Sequence, residues 1–560
     1  MSSDSQYLTL GNRKFKKEDV IFVGVLLVLL WIFFSLRMNL AGIGFERDEG
    51  AYSYYGKLFL DGKTPYKDFY EQKFPGIFVF FAMMIKLFGY SVEALHKGFA
   101  WLNLTSNILL FFTLRLWVNR HAALAASLAF GIYTMNPFIS GYTIQSEHGV
   151  VFFTCLGLFF YALFRKSQSK KMLHAFLAGL AFGAAFMTKT SGVMFAFWGG
   201  FVIFLEYVIF TDTRNIKKGI IYCLTYIIGL SLIIGALFLM IVMKNAFDEM
   251  IYWSYTTPKK YVSQVPWEQG KQFLAYYWKT ISDFSGWFWS ISLIALPLLL
   301  FTKQNLQDKI YIILFALLSF AAIVPGYYFY GHYWIQLAPA VGILNGVFVW
   351  GISQLAQNLF KFKWPYVPHS LLIISGIMAF NHVQSKNKEF FGYYSSRANY
   401  NMILRQVYGE NPFPECVEVA RFLKSRMSAE DKVIIVGSEP QIYVYLNKEC
   451  PTRHAYFAAI VNNVPEHKEW QREFASDIEK SAPKYLVFFN HRISLLVQPN
   501  TDNYVFTWLN EYVNKNYRII GLADMKAGLP TEYVYDAALN QYKVSGQHQI
   551  YIYERNAPRP

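Results

Sequence analysis

The chain has 560 residues, of which 54% are hydrophobic, 19% aromatic and only 16% charged. A soluble domain is nearer a quarter charged, so the composition excludes an ordinary soluble protein. The formal charge of +15 makes nucleic-acid binding a poor reading, because the basic residues sit in short loops between apolar runs, as they do on the cytoplasmic side of membrane proteins.

In chain order, basic residues from Arg13 to Lys17 precede the first long apolar run. That run is too long for a signal peptide and lacks a small-residue cleavage site, so it reads as an uncleaved first span. Further basic clusters occur at Arg115 and Arg120, Arg165 to Lys171, Arg214 to Lys218, Lys303 with Lys309, and Lys361 with Lys363. Placing all of them inside predicts eleven spans, near 20–41, 97–117, 121–142, 148–165, 172–188, 190–211, 217–243, 285–301, 309–325, 332–351 and 366–382. The N-terminus is then cytoplasmic and the tail extracytoplasmic. Residues 76–89 are apolar but too short to span, and read as a helix lying at the outer interface. The expected fold is a polytopic α-helical membrane domain, 1–382, followed by a C-terminal soluble α/β domain, 383–560.

With that topology the outward segments are 42–96, 143–147, the turn around Lys189, 244–284 and 326–331. Acidic and aromatic residues collect there. Asp48, Tyr52 and Tyr55 have the spacing of one helix face if 48–61 is helical, and Gly62 to Pro65 ends that helix. A carboxylate at the membrane edge is costly without a partner, which marks Asp48 as a functional candidate. A solvated acidic loop is the bland alternative. Lys73 precedes Pro75, which suits the first turn of a helix. It reads equally as a phosphate-holding cation or as a snorkelling lysine. Glu147 and His148 lie at the mouth of one span, Lys189 in a turn between two, and His332 among aromatics at another outer end. Singly these residues read as interface anchors; together, on one side, they suggest a shared cavity. The loop 244–284 is rich in Trp and Tyr, with an amphipathic stretch from Trp267 to Trp278 suited to the membrane surface.

Several of these pieces form a set: Arg47-Asp48-Glu49 after the first span, Gly62 to Asp68 (Gly-Lys-x-Pro-Tyr-x-Asp), Glu71 to Gly76 (Glu-x-Lys-x-Pro-Gly), Glu147 at the second outer turn, and Met187 to Lys189. The set resembles the membrane glycosyltransferases of the GT-C superfamily, in the branch similar to protein O-mannosyltransferases and the aminoarabinose transferase of lipid A (family 39-like). The likeness covers roughly residues 15–350. Phe74 stands where the family usually has a first proline.

The resemblance implies an inverting enzyme that moves a sugar from a polyprenyl-phosphate donor to an acceptor hydroxyl, on a glycan, lipid or protein, at the outer face of the cell's inner membrane. It implies that Asp48 accepts the acceptor's proton and that Lys73 contacts the donor phosphate, with Lys189 and His332 as further phosphate-binding candidates. The helices 48–61 and 76–89 would wall a substrate cavity that includes Glu49, Tyr52, Tyr55, Tyr66, Glu147 and His148. Asp48, Glu147 and His148 are alternatively read as ligands of a divalent cation, magnesium or manganese. Two other classes compete with this reading. A lipid or oligosaccharide transporter predicts paired mid-span charges and internal repeats, of which the sequence shows few and none. A membrane scaffold with a glycan-binding tail leaves the outer acid–lysine set unexplained.

In the tail, 431–438, 483–490, 517–523 and 548–555 read as strands, and 414–427, 438–446 and 467–481 as helices. Gly437 alone is no nucleotide-binding fingerprint. Cys155 and Cys223 lie in apolar runs and read as core residues, whereas Cys416 and Cys450 are candidates for a disulfide if the tail is outside. No catalytic constellation is evident in the tail, which reads as a cover or docking surface.

Overall fold

The structure, a computed structural model, describes residues 7–10, 13–210, 215–359 (without 263, 286 and 303), scattered positions from 370 to 381, and 400–557 (without 463, 528 and 529). A short antiparallel pair, β1 (Tyr7–Leu10) and β2 (Arg13–Lys16), precedes α1 (Lys17–Asn39). Then come α2 (Arg47–Leu60), α3 (Gly76–Phe88), α4 (Val92–Trp117), α5 (Arg120–Tyr133), α6 (Ser146–Lys166), α7 (Lys171–Thr188), α8 (Val193–Val208) and α9 (Ile216–Met243). Two short helices, α10 (Phe247–Ile251) and α11 (Thr257–Val262), lead to α12 (Trp267–Ser285), α13 (Trp287–Phe301), α14 (Leu306–Ala321) and α15 (Ala338–Leu359).

Among the described residues seven helices are long and apolar enough to cross a membrane: Val20–Asn39, Val92–Trp117, Ser146–Lys166, Lys171–Thr188, Thr190–Val208, Ile216–Met243 and Gly331–Asn358. An eighth arises if the pair Trp267–Phe284 and Trp289–Phe301, bent by 99°, acts as one span. The expected count of eleven is not confirmed among the described residues. The run 121–142 is helical only to Tyr133, because Asn136-Pro137 cannot continue a helix and instead opens a short turn capped by the Asn136 side chain. The run 309–325 gives the 16-residue α14, which stops four residues before Pro325. The span expected at 366–382 lies outside the described residues apart from isolated positions. The segment 76–89 forms the short apolar helix expected of it.

The chain divides into two compact units. The first comprises Met1–Ala41, Gln72–Phe80 and His96–Arg397; the second comprises Gly42–Glu71, Phe81–Leu95 and Ala398–Pro560. In the first unit α7 packs on α6, α8 and α9, and α15 packs on α5 and α13. Its centre is aromatic: Trp198 is fully buried, its ring meets Tyr161 at 5.2 Å and Phe315 at 5.2 Å, and its indole N–H donates to the Tyr311 carbonyl at 3.0 Å. Along α9, by contrast, Ile220, Leu224, Ile227, Ile228, Leu232 and Leu239 are exposed. A 28-residue apolar helix with such a surface is stable only against lipid or another apolar body. The protein is an integral membrane protein.

In the second unit α2 is joined by the tail. The tail holds α16 (Tyr400–Tyr408), α17 (Phe413–Lys424), α18 (Gln441–Leu446), α19 (His467–Ser481), α20 (Arg492–Leu495) and α21 (Tyr504–Asn516). Its sheet has the order β3–β4–β7–β5–β6, with β3 (Val433–Val436), β4 (Tyr485–Asn490), β5 (Tyr517–Met525), β6 (Glu532–Tyr535) and β7 (His548–Arg555). Only β3 and β4 pair in parallel; β7 inserts antiparallel between β4 and β5. The sheet is thus mixed, because the last strand returns through its middle. Cys416 and Cys450 are separate thiols rather than a disulfide. Cys416 is buried beside the Gln441 amide.

His491 caps α20 through Nδ1, which accepts from the Ile493 amide at 3.1 Å. Burial, and then the His548 ring 4.0 Å away, push its pKa from 6.5 down to about 4. The unfolded chain therefore binds a proton here that the folded chain refuses. Stability is complete above pH 6.5 and falls as pH drops towards 4. The thermal midpoint of the tail is expected to decline over that window by calorimetry in detergent, and His491→Asn, which keeps a capping oxygen, to flatten the decline. An identical slope in the variant would assign the acid sensitivity to other groups.

Candidate functional site

The first-loop helix is built by its N-terminus. Glu46 caps α2, its carboxylate accepting from the amides of Asp48 at 2.9 Å and Glu49 at 3.1 Å, and two acids in the first turn favour the positive end of the helix. Asp48 is half-buried; Glu49 is fully buried. Tyr52 and Tyr55 share the helix face of Asp48 but are packed inward, Tyr52 against Phe81 at 5.5 Å and Tyr55 stacked on Phe69 at 5.3 Å. Tyr66 is fully buried and left-handed at φ +68°, in a turn where Asp68 accepts from the Thr64 amide at 2.7 Å. The Gly62–Asp68 motif is thus a turn former. Tyr66, like Tyr52 and Tyr55 of α2, is an interior prop of the second unit.

In the first unit, three segments far apart in sequence meet. Glu147, in the first turn of α6, is fully buried. Its Oε1 accepts from Lys189 and lies 3.8 Å from His332 Nε2; its Oε2 accepts from the Ser146 hydroxyl at 2.9 Å. Lys189 sits in extended backbone at the break between α7 and α8, with its ammonium 4.1 Å from the centre of the Tyr333 ring. The loop before His332 is strained into place. Tyr327 and Phe329 are left-handed at φ +57° and +47°, each costing on the order of 1 kcal/mol or more. His332 then stacks on Tyr330 at 5.8 Å and meets Tyr333 edge-on at 4.8 Å.

The Lys73 segment reaches the same neighbourhood. Gly76 lies against Met187, where an added Cβ would fall 2.4 Å from the Met187 carbonyl oxygen, so only glycine fits. Phe74 meets Phe186 edge-on at 5.4 Å. The end of the first motif, residues 74–76, and the start of the second at Met187 are therefore adjoining pieces of the first unit. His148 faces another way: its Nδ1 accepts from the Gln145 amide at 3.1 Å and its ring packs on Phe99 at 4.6 Å. Among the described residues no three His, Cys, Asp or Glu side chains form a metal-binding group. Glu147 already holds an ammonium and a hydroxyl. This donor set does not fit a resident divalent cation.

Sequence reasoning missed Arg37. It is buried, and donates to the carbonyls of Gly141 at 2.6 Å and Thr134 at 2.7 Å, tying the end of α1 to the loop after α5. Its signal was a lone arginine ending an apolar run. At the opposite end of α6, about 27 Å from Glu147 at 1.5 Å per residue, lies a second charged group. Arg165 is held by Asp308 and by Glu206 at 3.3 Å, and Trp117 donates to Asp308 at 2.7 Å. These residues line a cleft of about 210 Å³ with Lys166 and Asn305.

Residues 72–238 match the family described as dolichyl-phosphate-mannose-protein mannosyltransferase. No curated protein matches by sequence. Among solved structures, the chain is similar to ArnT from Cupriavidus metallidurans bound to undecaprenyl phosphate, at 13% identity and a TM-score of 0.53, covering 95% of this chain and 97% of that one. The apo state of the same protein gives 14% identity and a TM-score of 0.54 over the same shares. The archaeal oligosaccharyltransferase AglB from Archaeoglobus fulgidus, in complex with an inhibitory peptide and a dolichol-phosphate, gives 12% identity and a TM-score of 0.51, covering 95% of this chain and 75% of that one. The family match and the shared fold bear out the resemblance to GT-C membrane glycosyltransferases.

Proposed function

We propose that the protein is an inverting glycosyltransferase that takes a sugar from a polyprenyl-phosphate donor at the outer face of the membrane and passes it to a hydroxyl of a glycan, lipid or protein. The observation that carries the reading is the pairing of Lys189 and His332 with the buried Glu147 carboxylate beside the Lys73 turn, in and next to the segment that matches the mannosyltransferase family. The structural neighbours that hold undecaprenyl phosphate or dolichol-phosphate support the donor class. Residues 1–382 carry the chemistry of the lipid donor, and 383–560 form the extracytoplasmic domain.

In the reaction, the acceptor oxygen attacks the anomeric carbon while the bond from that carbon to the phosphate oxygen breaks. The acceptor proton passes to Asp48 as general base, and the polyprenyl phosphate leaves with the bonding electrons. Lys73, Lys189 and His332 stabilise the charge that grows on the leaving phosphate. A single displacement inverts the anomeric centre, so no second carboxylate is needed as nucleophile. Glu147 serves by holding Lys189 extended rather than by taking a proton.

The test uses a polyprenyl-phosphate sugar series in membranes containing the protein. Lys73→Ala is expected to raise the donor KM by about ten- to a hundred-fold, the worth of one charge-assisted contact of roughly 1.5–3 kcal/mol. Unchanged donor KM would remove Lys73 from the phosphate site, and no transfer from any polyprenyl-phosphate sugar would overturn the reading.

A further inference from the structure

The second unit contains a buried charge pair that the chemistry above does not use. Arg47, next to the candidate base, is 9% exposed. Its guanidinium donates to Glu439 Oε1 at 2.9 Å, to the Ser438 carbonyl at 2.7 Å and to the Ile493 carbonyl at 3.1 Å, and lies 5.6 Å from the Phe413 ring centre. Glu439 is fully buried, and its other oxygen accepts from Ser494. All the partners belong to the tail.

The rest of one α2 face follows Arg47. Residues 47, 50 and 54 share that face by their spacing. Gly50 meets α18 so closely that a Cβ would fall 2.4 Å from Gln441 Cβ and 2.7 Å from its Cα. Tyr54 stacks on Tyr443 at 5.3 Å, and its hydroxyl accepts from the Cys450 amide at 2.7 Å. Just before the helix, the Phe45 amide donates to the Tyr445 hydroxyl at 2.7 Å. Asp48 lies about 100° around the helix from Arg47, at 3.6 residues per turn. Whatever fixes the rotation of α2 therefore fixes the direction of Asp48. Across from it, burial and then the charge of Asp48 hold the Tyr456 phenol of the tail well above its ordinary pKa.

A buried ion pair is a poor device for stability alone, since apolar residues of like volume usually serve as well. What it supplies is a single geometry, because a forked guanidinium with three acceptors has one seat. We propose that Glu439 of the tail is a positioning residue for Asp48, acting through Arg47. The tail is then more than a cover: it sets the aim of the base from nearly four hundred residues away. The proposal rests on reading Asp48 as the general base.

The experiment measures kcat and donor KM with a radiolabelled polyprenyl-phosphate sugar for the full chain, Glu439→Gln, Asp48→Asn and the double variant. Glu439→Gln is expected to lower kcat by about ten- to a hundred-fold, as misplacement of a reacting group does, with donor KM unchanged. In the Asp48→Asn background, where there is no base to aim, it is expected to change the residual kcat no further. An unaltered kcat, or a second fall of equal size in the Asp48→Asn background, would overturn the positioning role and leave the pair purely structural. Near-normal turnover of Asp48→Asn alone would instead sink the base itself, and the positioning role with it. Should Glu439→Gln fail to fold, Ser494→Ala loosens the same carboxylate while keeping the ion pair. It should lower kcat without moving KM, and no change in kcat would equally count against the proposal.

Discussion

Asp48→Asn is expected to abolish sugar transfer while the protein still folds and inserts. Loss of a general base typically costs about 10²- to 10⁴-fold in rate. The substitution is nearly isosteric at a half-buried position, and the Glu46 cap accepts from the residue-48 amide whatever the side chain. The helix loses only one favourable charge near its positive end, about 0.3–1 kcal/mol. Activity and stability therefore separate at this residue. Product formed from a radiolabelled polyprenyl-phosphate sugar, measured beside the thermal midpoint, reads both. Near-normal product would remove Asp48 from the base role, while a collapsed midpoint would show that the carboxylate holds the fold.

The second large effect is expected at Glu147. Its carboxylate has no exposed surface and accepts from Lys189 and Ser146, with His332 3.8 Å away. Glu147→Gln takes away the carboxylate on which the Lys189 ammonium, itself mostly buried, is seated. Removing one partner of a buried pair costs about 3–5 kcal/mol. A marked fall in thermal midpoint in detergent and loss of transfer are both expected. Pairing the change with Lys189→Met removes the cation as well. Stability should then return in large part, but transfer should not, because the cation is part of the phosphate site. A single Glu147→Gln variant as stable as the parent would mean that solvent reaches Lys189 freely; a double variant with full transfer would remove Lys189 from the chemistry.

Much of the architecture was legible from local pattern. The tail strands Val433–Val436, Tyr485–Asn490, Tyr517–Met525 and His548–Arg555 all fall inside or beside the stretches expected of them, because alternating β-branched and aromatic residues bounded by Gly, Pro and polar clusters form strands in almost any context. α2 was legible for a similar reason, its acids at the start and Gly62 at the end being local signals. The strand Glu532–Tyr535 and the helix Tyr504–Asn516 were not. The strand is short and half exposed, and carries little apolar periodicity of its own. The ends of two helices were misplaced where hydropathy ran through Asn136-Pro137 and up to Pro325, since an apolar window does not register a helix break inside it.

By itself the sequence determined that this is a membrane protein with an α/β domain after it, and that the first loop begins with an acidic helix. Each of those depends on neighbours within a few residues or on the apolar content of a window. Only the tertiary structure decided that Lys189 and His332 share the Glu147 carboxylate, that Tyr52, Tyr55 and Tyr66 are interior props, and that Glu439 grips Arg47. The reason is physical. Periodicity says which side of a helix is apolar, but a charge finds its partner only when helices far apart in sequence have packed, and that register is set by close contacts such as Gly76 on Met187 and Gly50 on Gln441.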